Sequence, residues 1–414
     1  IDGITGTVDI DIDAPEAWAV SLGSNTITVA VLDEGVAPHE DLEDGMGMSR
    51  VLPGYDVVNP GVGDGAPIAA GEAHGQSCAG LIAASHNAIG TRGVAPNVNI
   101  LPIYATFSVA TPVSQIADGI NWAWNNGADI ISNSWVYYLC MANPFPVLNT
   151  AIDSATTYGR GGQGCVVTFA AGNISACVGF PANKSNTLAM GAVTNQGNQA
   201  GYSNFGPELD LVAPSSGSSS NMRTVDRMGM QGYNTTGTGD LPNVNYTRNF
   251  GGTSSATALS SGAAAILLSE FSYLSELQIR DLLRNSATDM GPAGFDNNFG
   301  HGRLSVGDAL QLAFNTYFLA PQSELPSPTL AVVQDTYVFR DEWGNLMLHA
   351  GKEWEGPVSA EGVDLQGRIV GNHSNIPPLS PFPLAAFSEM NTAIFLRLRD
   401  QNGRTRTFRI PPQN

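Results

Sequence analysis

Charge is scarce in this 414-residue chain, and positive charge most of all: 18 residues are Lys or Arg against 37 Asp or Glu. The formal net charge of −19 excludes nucleic acid as a partner, because a phosphate backbone is bound through clusters of Lys and Arg. Cysteine is nearly absent as well. Cys78, Cys140, Cys165 and Cys177 are too few for a disulfide scaffold and form no CxxC metal pattern, which leaves one or two structural disulfides or buried thiols. No apolar run reaches the roughly eighteen residues that a spanning helix needs, so no membrane span is expected. The chain begins at Ile1 with neither Met nor a charged-then-apolar leader, as a processed form would.

What is present supports a large packed core, since 43% of the residues are hydrophobic and the length exceeds one ordinary domain. The acidity is uneven: residues 1–319 hold 27 acids and 10 bases, residues 320–414 hold 10 acids and 8 bases. Solubility explains such a surplus, and coordination of a hard cation by carboxylates is the functional alternative.

Up to about residue 316 strand and helix patterns alternate. Ile27–Leu32 is a continuous β-branched run, as in a strand covered on both faces, and Asn99–Ile103, Asp129–Ser132, Cys165–Ala170 and Leu188–Val193 are further strand candidates. Helices are expected over Pro112–Asn125, Val147–Tyr158, Ser254–Ser269 and Leu274–Asn285. That alternation predicts an α/β fold, a mostly parallel sheet with helices on both faces. The predicted division is a domain over 1–318, a Pro- and Ser-rich linker over 319–329 and a small all-β module over 330–414. Within the module, Gln401-Asn402-Gly403 predicts a hairpin, and Asp341–Asn345 a second turn.

Three segments carry chemistry. Asp33 ends the first buried strand and is followed by Glu34-Gly35; His74 opens a helix of small residues; Ser254 opens the long apolar helix after Phe250-Gly251-Gly252-Thr253. Taken alone, each has an ordinary structural reading as a cap, a packed histidine or a turn residue. A helix N-terminus, however, offers unpaired N–H groups to a developing negative charge, and small residues there let a substrate approach.

In their order and local sequence these segments resemble the subtilisin-like (subtilase) serine peptidases, from about Asp11 to Leu310. The resemblance is carried by Asp11–Trp18, Asp33-Glu34-Gly35 with His39–Leu42, His74-Gly75 with Cys78-Ala79-Gly80, Gly93–Pro96, Asn133-Ser134-Trp135, Ala170-Ala171-Gly172-Asn173 and Gly252-Thr253-Ser254. It implies a secreted, monomeric serine endopeptidase acting on proteins or peptides, closest in motif detail to secreted bacterial members. In it Asp33, His74 and Ser254 would form the catalytic triad and Asn173 would donate to the oxyanion. Ser134, Trp135 and Val136 would face Ala170, Ala171 and Gly172 across the P1 pocket, with Gly179 at its floor. No acid lines it, so a large apolar P1 side chain is expected; Glu34 and Cys78 resemble the kexin-like branch instead, with its basic specificity. A binding protein without activity is the reading from another class. The resemblance also implies a structural calcium held by Asp41, Ser85, Asn87, Ile89 and Thr91, in the loop Ser85–Thr91. It places the loops of Cys140 and Cys177 at the cleft, where they could pair, and leaves Cys78 a buried thiol. Two departures stand at the nucleophile motif: Ser255 follows Ser254, and Ala258 replaces the family's Pro.

Overall fold

The computed structural model describes residues 6–107, 111–141, 143–217 and 220–318. Beyond them it describes 337–340, 346–349, 357–364, 369–376, 381–384, 394–399, 401 and 405–410. In chain order the elements begin with α1 (Ala14–Trp18), β1 (Thr28–Asp33), β2 (Tyr55–Asp56), α2 (His74–Ala83), β3 (Asn99–Tyr104), α3 (Val113–Asn125) and β4 (Ile130–Asn133). Next come α4 (Pro146–Gly162), β5 (Val166–Ala170), β6 (Leu188–Val193), β7 (Leu211–Pro214), β8 (Met222–Val225) and β9 (Tyr246–Phe250). Helices α5 (Gly252–Glu270), α6 (Glu276–Asn285) and α7 (Val306–Ala313) follow. The chain divides into two compact units, Ile1–Ala14 with Gly23–Ala309, and Pro15–Leu22 with Leu310–Asn414.

The first unit is built on a seven-stranded sheet in the order β2-β3-β1-β4-β5-β6-β7, with every neighbouring pair parallel. Alternate residues of a strand face opposite sides. Ala30 and Leu32 of β1 and Val167 and Phe169 of β5 point into one core with Ile116 and Ile120 of α3 and Leu148 and Ile152 of α4. On the other side lie α2 and α5, and Thr168 of β5 shares a 2.8 Å hydrogen bond with Ser261 of α5. Both faces are thus covered, which is why these strands read as unbroken apolar runs. Helix α5 is buried on every side from Thr253 to Leu268, so it shows no polar face at all.

The expected strands and helices occur with shifts of one or two residues at their ends. The regular part of α4 stops at Tyr158, as expected, because Gly159–Gly161 leave helical dihedrals and Arg160 takes φ 53°. Helix α6 starts at a capping box between Ser275 and Gln278. Strands β2 and β7 were not expected: two and four residues are too short for a periodic signal.

The second unit contains β10 (Tyr337–Arg340), β11 (Leu346–His349), β12 (Val358–Asp364), β13 (Ile369–Ile376), β14 (Pro381–Pro383), β15 (Ile394–Arg399) and β16 (Thr405–Ile410). They form antiparallel sheets in the orders β10-β11-β14 and β13-β12-β15-β16. Strands β15 and β16, which flank the hairpin expected at Gln401–Gly403, pair antiparallel; Asn402 and Gly403 themselves lie outside the described residues. Residues 15–22 belong to this unit: the Arg397 guanidinium donates to the Ala19 carbonyl at 2.8 Å. The linker segment 319–329 and the turn 341–345 lie outside the described residues.

Candidate active site

The carboxyl ends of β1, β4 and β5 meet at one edge of the sheet. Continuing the ladders β1–β4 and β4–β5 past their last pairs places Asp33 level with Ser134, and Ser134 level with Ala170. In open parallel sheets this edge is where ligands bind.

His74, the first residue of α2, faces Asp33. Its Nδ1 lies 2.9 Å from both carboxylate oxygens, and because a carboxylate only accepts, Nδ1 carries the proton and Nε2 is left as the acceptor. The Asp33 side chain is 2% exposed and that of His74 27%. Burial pulls the His74 pKa down, but the Asp33 charge and hydrogen bond outweigh it and hold the imidazole well above its ordinary 6.5. Cys78, one turn along α2, brings Sγ to 3.9 Å from Nδ1; burial pushes its thiol up, so it stays neutral. Asp33, His74 and Cys78 are the one cluster of metal-type side chains found among the described residues. The Asp33–His74 bond already occupies the Asp33 carboxylate and His74 Nδ1.

Ser254 is the third residue of α5. Its hydroxyl donates to the Ser134 carbonyl at 3.0 Å, and the Ser134 hydroxyl donates back to the Ser254 carbonyl at 2.9 Å. No hydrogen bond joins Ser254 to His74 among the described residues. Ser255 points elsewhere, sharing 2.6 Å with the Ser215 hydroxyl and donating to the Gly252 carbonyl at 3.0 Å.

The start of α5 leaves its first N–H groups to be satisfied from outside the helix. Ser216 Oγ takes that of Gly252 at 3.1 Å, and Asn173 Oδ1 takes that of Thr253 at 2.8 Å. The Thr253 hydroxyl also donates to Asn173 Oδ1, at 3.0 Å. Two donors converging on that oxygen fix which way the amide faces. Asn173 Nδ2 and the Ser254 N–H are left without partners among the described residues. They are two open donors at a helix N-terminus, the arrangement that receives negative charge.

The loops after β4 and β5 are zipped together. Tyr137 N donates to Phe180 O (2.8 Å), Phe180 N to Leu139 O (2.9 Å) and Gly179 N to Ala171 O (3.0 Å), and Cys140 is disulfide-bonded to Cys177 across Cα atoms 5.9 Å apart. Cys78 and Cys165 are free and buried. Val136 lies over Gly179, where a Cβ would overlap its Cγ2. Ala170, Ala171 and Gly172 stand opposite, and Gly172 takes φ +117° beside Asn204, leaving no room for a side chain. Trp135 differs from expectation. Its ring is 8% exposed and stacks on Phe107 and edges Phe169, and its indole N–H donates to the Leu32 carbonyl at 3.0 Å. A large aromatic with a polar tip is satisfied best inside, so Trp135 props the wall from behind and only its backbone belongs to the surface.

The expected cation loop also comes together. Asp41 is buried; its Oδ1 accepts from Asn87 Nδ2 and its Oδ2 from Thr91 N, both at 2.9 Å, while Asn87 Oδ1 accepts from Ile89 N at 2.9 Å. Burial raises the Asp41 pKa, and no basic side chain lies within ion-pair distance among the described residues. The Asp41 carboxylate is met here by N–H donors of Asn87 and Thr91; with the Asn87 amide turned over, its oxygen beside the buried carboxylate would suit a hard cation. The Ser85 hydroxyl is turned away, donating to Glu43 O at 2.5 Å and accepting from Arg50, so only its carbonyl remains for such a role.

Sequence reasoning missed Ser215 and Ser216, which hold Ser255 and Gly252, and Tyr233, which packs near Phe250 at 6.5 Å. Phe250 in turn edges the His74 ring at 5.3 Å. No local motif marks these residues.

A parallel α/β sheet with a carboxylate–imidazole pair at its carboxyl edge and a serine at a helix start defines a class, and sequence comparison gives the family. The profile described as the Subtilase family matches residues 24–302, and the chain belongs to that family. It is 32% identical over 365 residues to a calcium-dependent protease of Trichormus variabilis, covering 80% of this chain and 52% of that protein. It is 34% identical over 297 residues to subtilisin Savinase of Lederbergia lenta, covering 71% of this chain and 94% of that protein. Among solved structures, a protease from Pseudoalteromonas arctica matches with TM-score 0.60 and 26% identity over 74% of this chain and 96% of that one. The chain spans about half the length of the calcium-dependent proteases it matches.

Proposed function

We propose that the protein is a secreted serine endopeptidase working through Asp33, His74 and Ser254. The observation that carries this reading is the start of α5, where Ser254 is hydrogen-bonded both ways to Ser134, the residue level with Asp33 of the Asp33–His74 pair, and has two open donors around it. Ser254 Oγ attacks the scissile carbonyl while His74 Nε2 takes its proton and later delivers it to the leaving amine. Asp33 keeps the imidazole in the required tautomer and stabilises its charged form. Asn173 Nδ2 and the Ser254 N–H receive the oxyanion. A disulfide between Cys140 and Cys177 suits an oxidising compartment, in keeping with secretion. No described helix is long and apolar enough to cross a membrane.

Stoichiometric labelling by a fluorophosphonate tests the reading. We expect Ser254→Ala to abolish labelling and Ser255→Ala to retain it; labelling that survives the first and disappears in the second would transfer the role to Ser255.

The P1 pocket is walled by Ser134, the Trp135 backbone and Val136 on one side and Ala170–Gly172 on the other, with Gly179 below. Its lining carries no charge and suits an apolar P1 side chain, Val136 being the first group a large ring would meet. A basic preference is the second reading, and the acid Glu34 directly after Asp33 favours it, although burial and the Asp33 charge raise its carboxyl pKa and so weaken its hold on a cation. Cleavage of a peptide library after Lys or Arg alone would choose it.

A calcium ion held by Asp41, Asn87 and the carbonyls of Ser85, Ile89 and Thr91 completes the proposal, supported by the calcium-dependent proteases among the relatives. It would cross-link the loop to Asp41 and supply no reaction step. A melting temperature unmoved by chelator would remove it.

A further inference from the structure

The long connection between β8 and β9 is neither a catalytic motif nor a slack loop. Three side chains organise it from within. The Asp226 carboxylate accepts from Arg227 N (2.8 Å), Tyr233 N (3.0 Å) and Asn234 N (2.6 Å). Asn234 Nδ2 donates to Leu241 O (2.7 Å) and Tyr246 O (2.8 Å), and its Oδ1 accepts from Gly237 N (3.0 Å). Asp240 accepts from the Thr247 hydroxyl (2.7 Å) and Arg248 N (2.8 Å). Asp226 and Asn234 are both buried.

The same loop is fastened to the segment just before His74. Gly71 N donates to Gln231 O at 2.9 Å, and Arg227 donates to the Ala69 carbonyl. It is also fastened beyond β1, where His39 Nε2 lies 3.0 Å from Asn245 O and Asn245 Nδ2 donates to Glu40 at 2.9 Å. Yet this rigid loop presents Met228, Met230 and Tyr233 to solvent, at 47%, 68% and 44% exposure. Tyr233 packs near Phe250, and Phe250 edges the His74 ring. Large apolar groups held out on a well-anchored scaffold mark a binding surface.

Position names the occupant. The pocket walls and Asn173 lie at the ends of β4 and β5, on one side of Ser254. His74 pairs with Asp33 at the end of β1, the neighbour of β4 away from β5, and from its ring the contacts run to Phe250 at 5.3 Å and on to Tyr233 at 6.5 Å. The acyl part of a peptide belongs to the first side, so the part beyond the cleaved bond, whose new amine takes its proton from His74, leaves across the second. We propose that Tyr233, with Met228 and Met230, binds apolar side chains at the first two positions after the cleaved bond. The inference rests on the endopeptidase reading above.

Two substrates with one acyl sequence test it: a p-nitroanilide, which has no residues after the bond, and internally quenched peptides carrying Leu or Ser at those two positions. In the wild-type protein the Leu peptide should exceed the Ser peptide about tenfold in kcat/KM. In Tyr233→Ala and in Met230→Ala that ratio should fall toward one, and the Leu-peptide to anilide ratio should fall with it. An equal loss on all three substrates would mean that Tyr233 only supports the fold, and would overturn the proposal. So would a wild-type protein with no Leu preference, or a Tyr233→Ala shift seen only when residues before the bond are varied. Failure to cleave any of the three would instead fault the endopeptidase reading.

Discussion

Two walls rise beside the Asp33–His74 pair, and they are held by different physics. The wall of residues 134–140 and 171–180 is stitched by backbone hydrogen bonds and one disulfide over an apolar core containing Phe180 and Phe169. The wall of residues 226–249 has little core of its own: Leu241 and Tyr246 cluster with Val225 and Ala84, and the rest hangs on Asp226, Asn234 and Asp240. The first closes a pocket on small residues, the second lifts large ones into solvent. A covalent and apolar wall tolerates polar substitution at its rim, whereas a wall built on buried carboxylate and amide groups depends on each of them, because every backbone N–H they release is left unpaired.

The comparison can be broken most severely at Asn173, which belongs to the first wall. Asn173→Ala should lower kcat by about 10²–10³, a loss of about 3–4 kcal/mol known from subtilisin itself rather than obtained from this structure. Steady-state kinetics should show KM nearly unchanged; an equal loss through KM would assign Asn173 to ground-state binding. Stability separates the walls next. Replacing both Cys140 and Cys177 by Ser should cost about 4 kcal/mol, since the bond closes a 37-residue separation. Asp226→Ala should cost about 2–3 kcal/mol through three unpaired N–H groups. Urea unfolding measures both, and the comparison sharpens if only Asp226→Ala also lowers cleavage of peptides with apolar residues after the bond. Smaller still is Val136→Gly. Removing the side chain above Gly179 should move the Phe-to-Ala preference at P1 up by about tenfold, as one added apolar contact allows. Unaltered preference would take Val136 out of the pocket.

The last effect concerns His74, which both walls share. Its pKa stands above 6.5 in the folded protein, so activity that needs neutral imidazole should rise with pH in the range above 6.5. The linkage runs the other way for stability. The contribution from the charged imidazole is fully present below 6.5 and is lost as pH rises through the folded pKa. A pH–rate profile whose lower limb falls below 6.5 would contradict the Asp33 effect.

Much of this was legible in the sequence, for reasons that differ by region. Asp33, His74, Asn173 and Ser254 each sit in a short motif because each depends on a few neighbours: a strand end, a helix start, Thr253. Strands β1, β3, β5 and β6 were legible because burial on both faces forces continuous apolar runs. The inward turn of Trp135 was not, since its acceptor, Leu32 O, lies 103 positions away. Nor was the anchored placement of Tyr233 legible: the loop around it is polar in sequence, and only Asp226 and Asn234 bonding across it turn that polarity into rigidity.

One bond remains, that from the Ser254 hydroxyl to the Ser134 carbonyl. It holds the alcohol on that carbonyl rather than on the imidazole, and in the proposed reaction a turn about the Cα–Cβ bond would free it. Such a turn takes picoseconds to nanoseconds, whereas a turnover at ~10 s⁻¹ takes about a tenth of a second. Parking therefore costs nothing measurable in rate. If Ser254 is the proposed nucleophile, the bond is a safety catch between encounters, released when an arriving carbonyl rewards the hydroxyl for leaving.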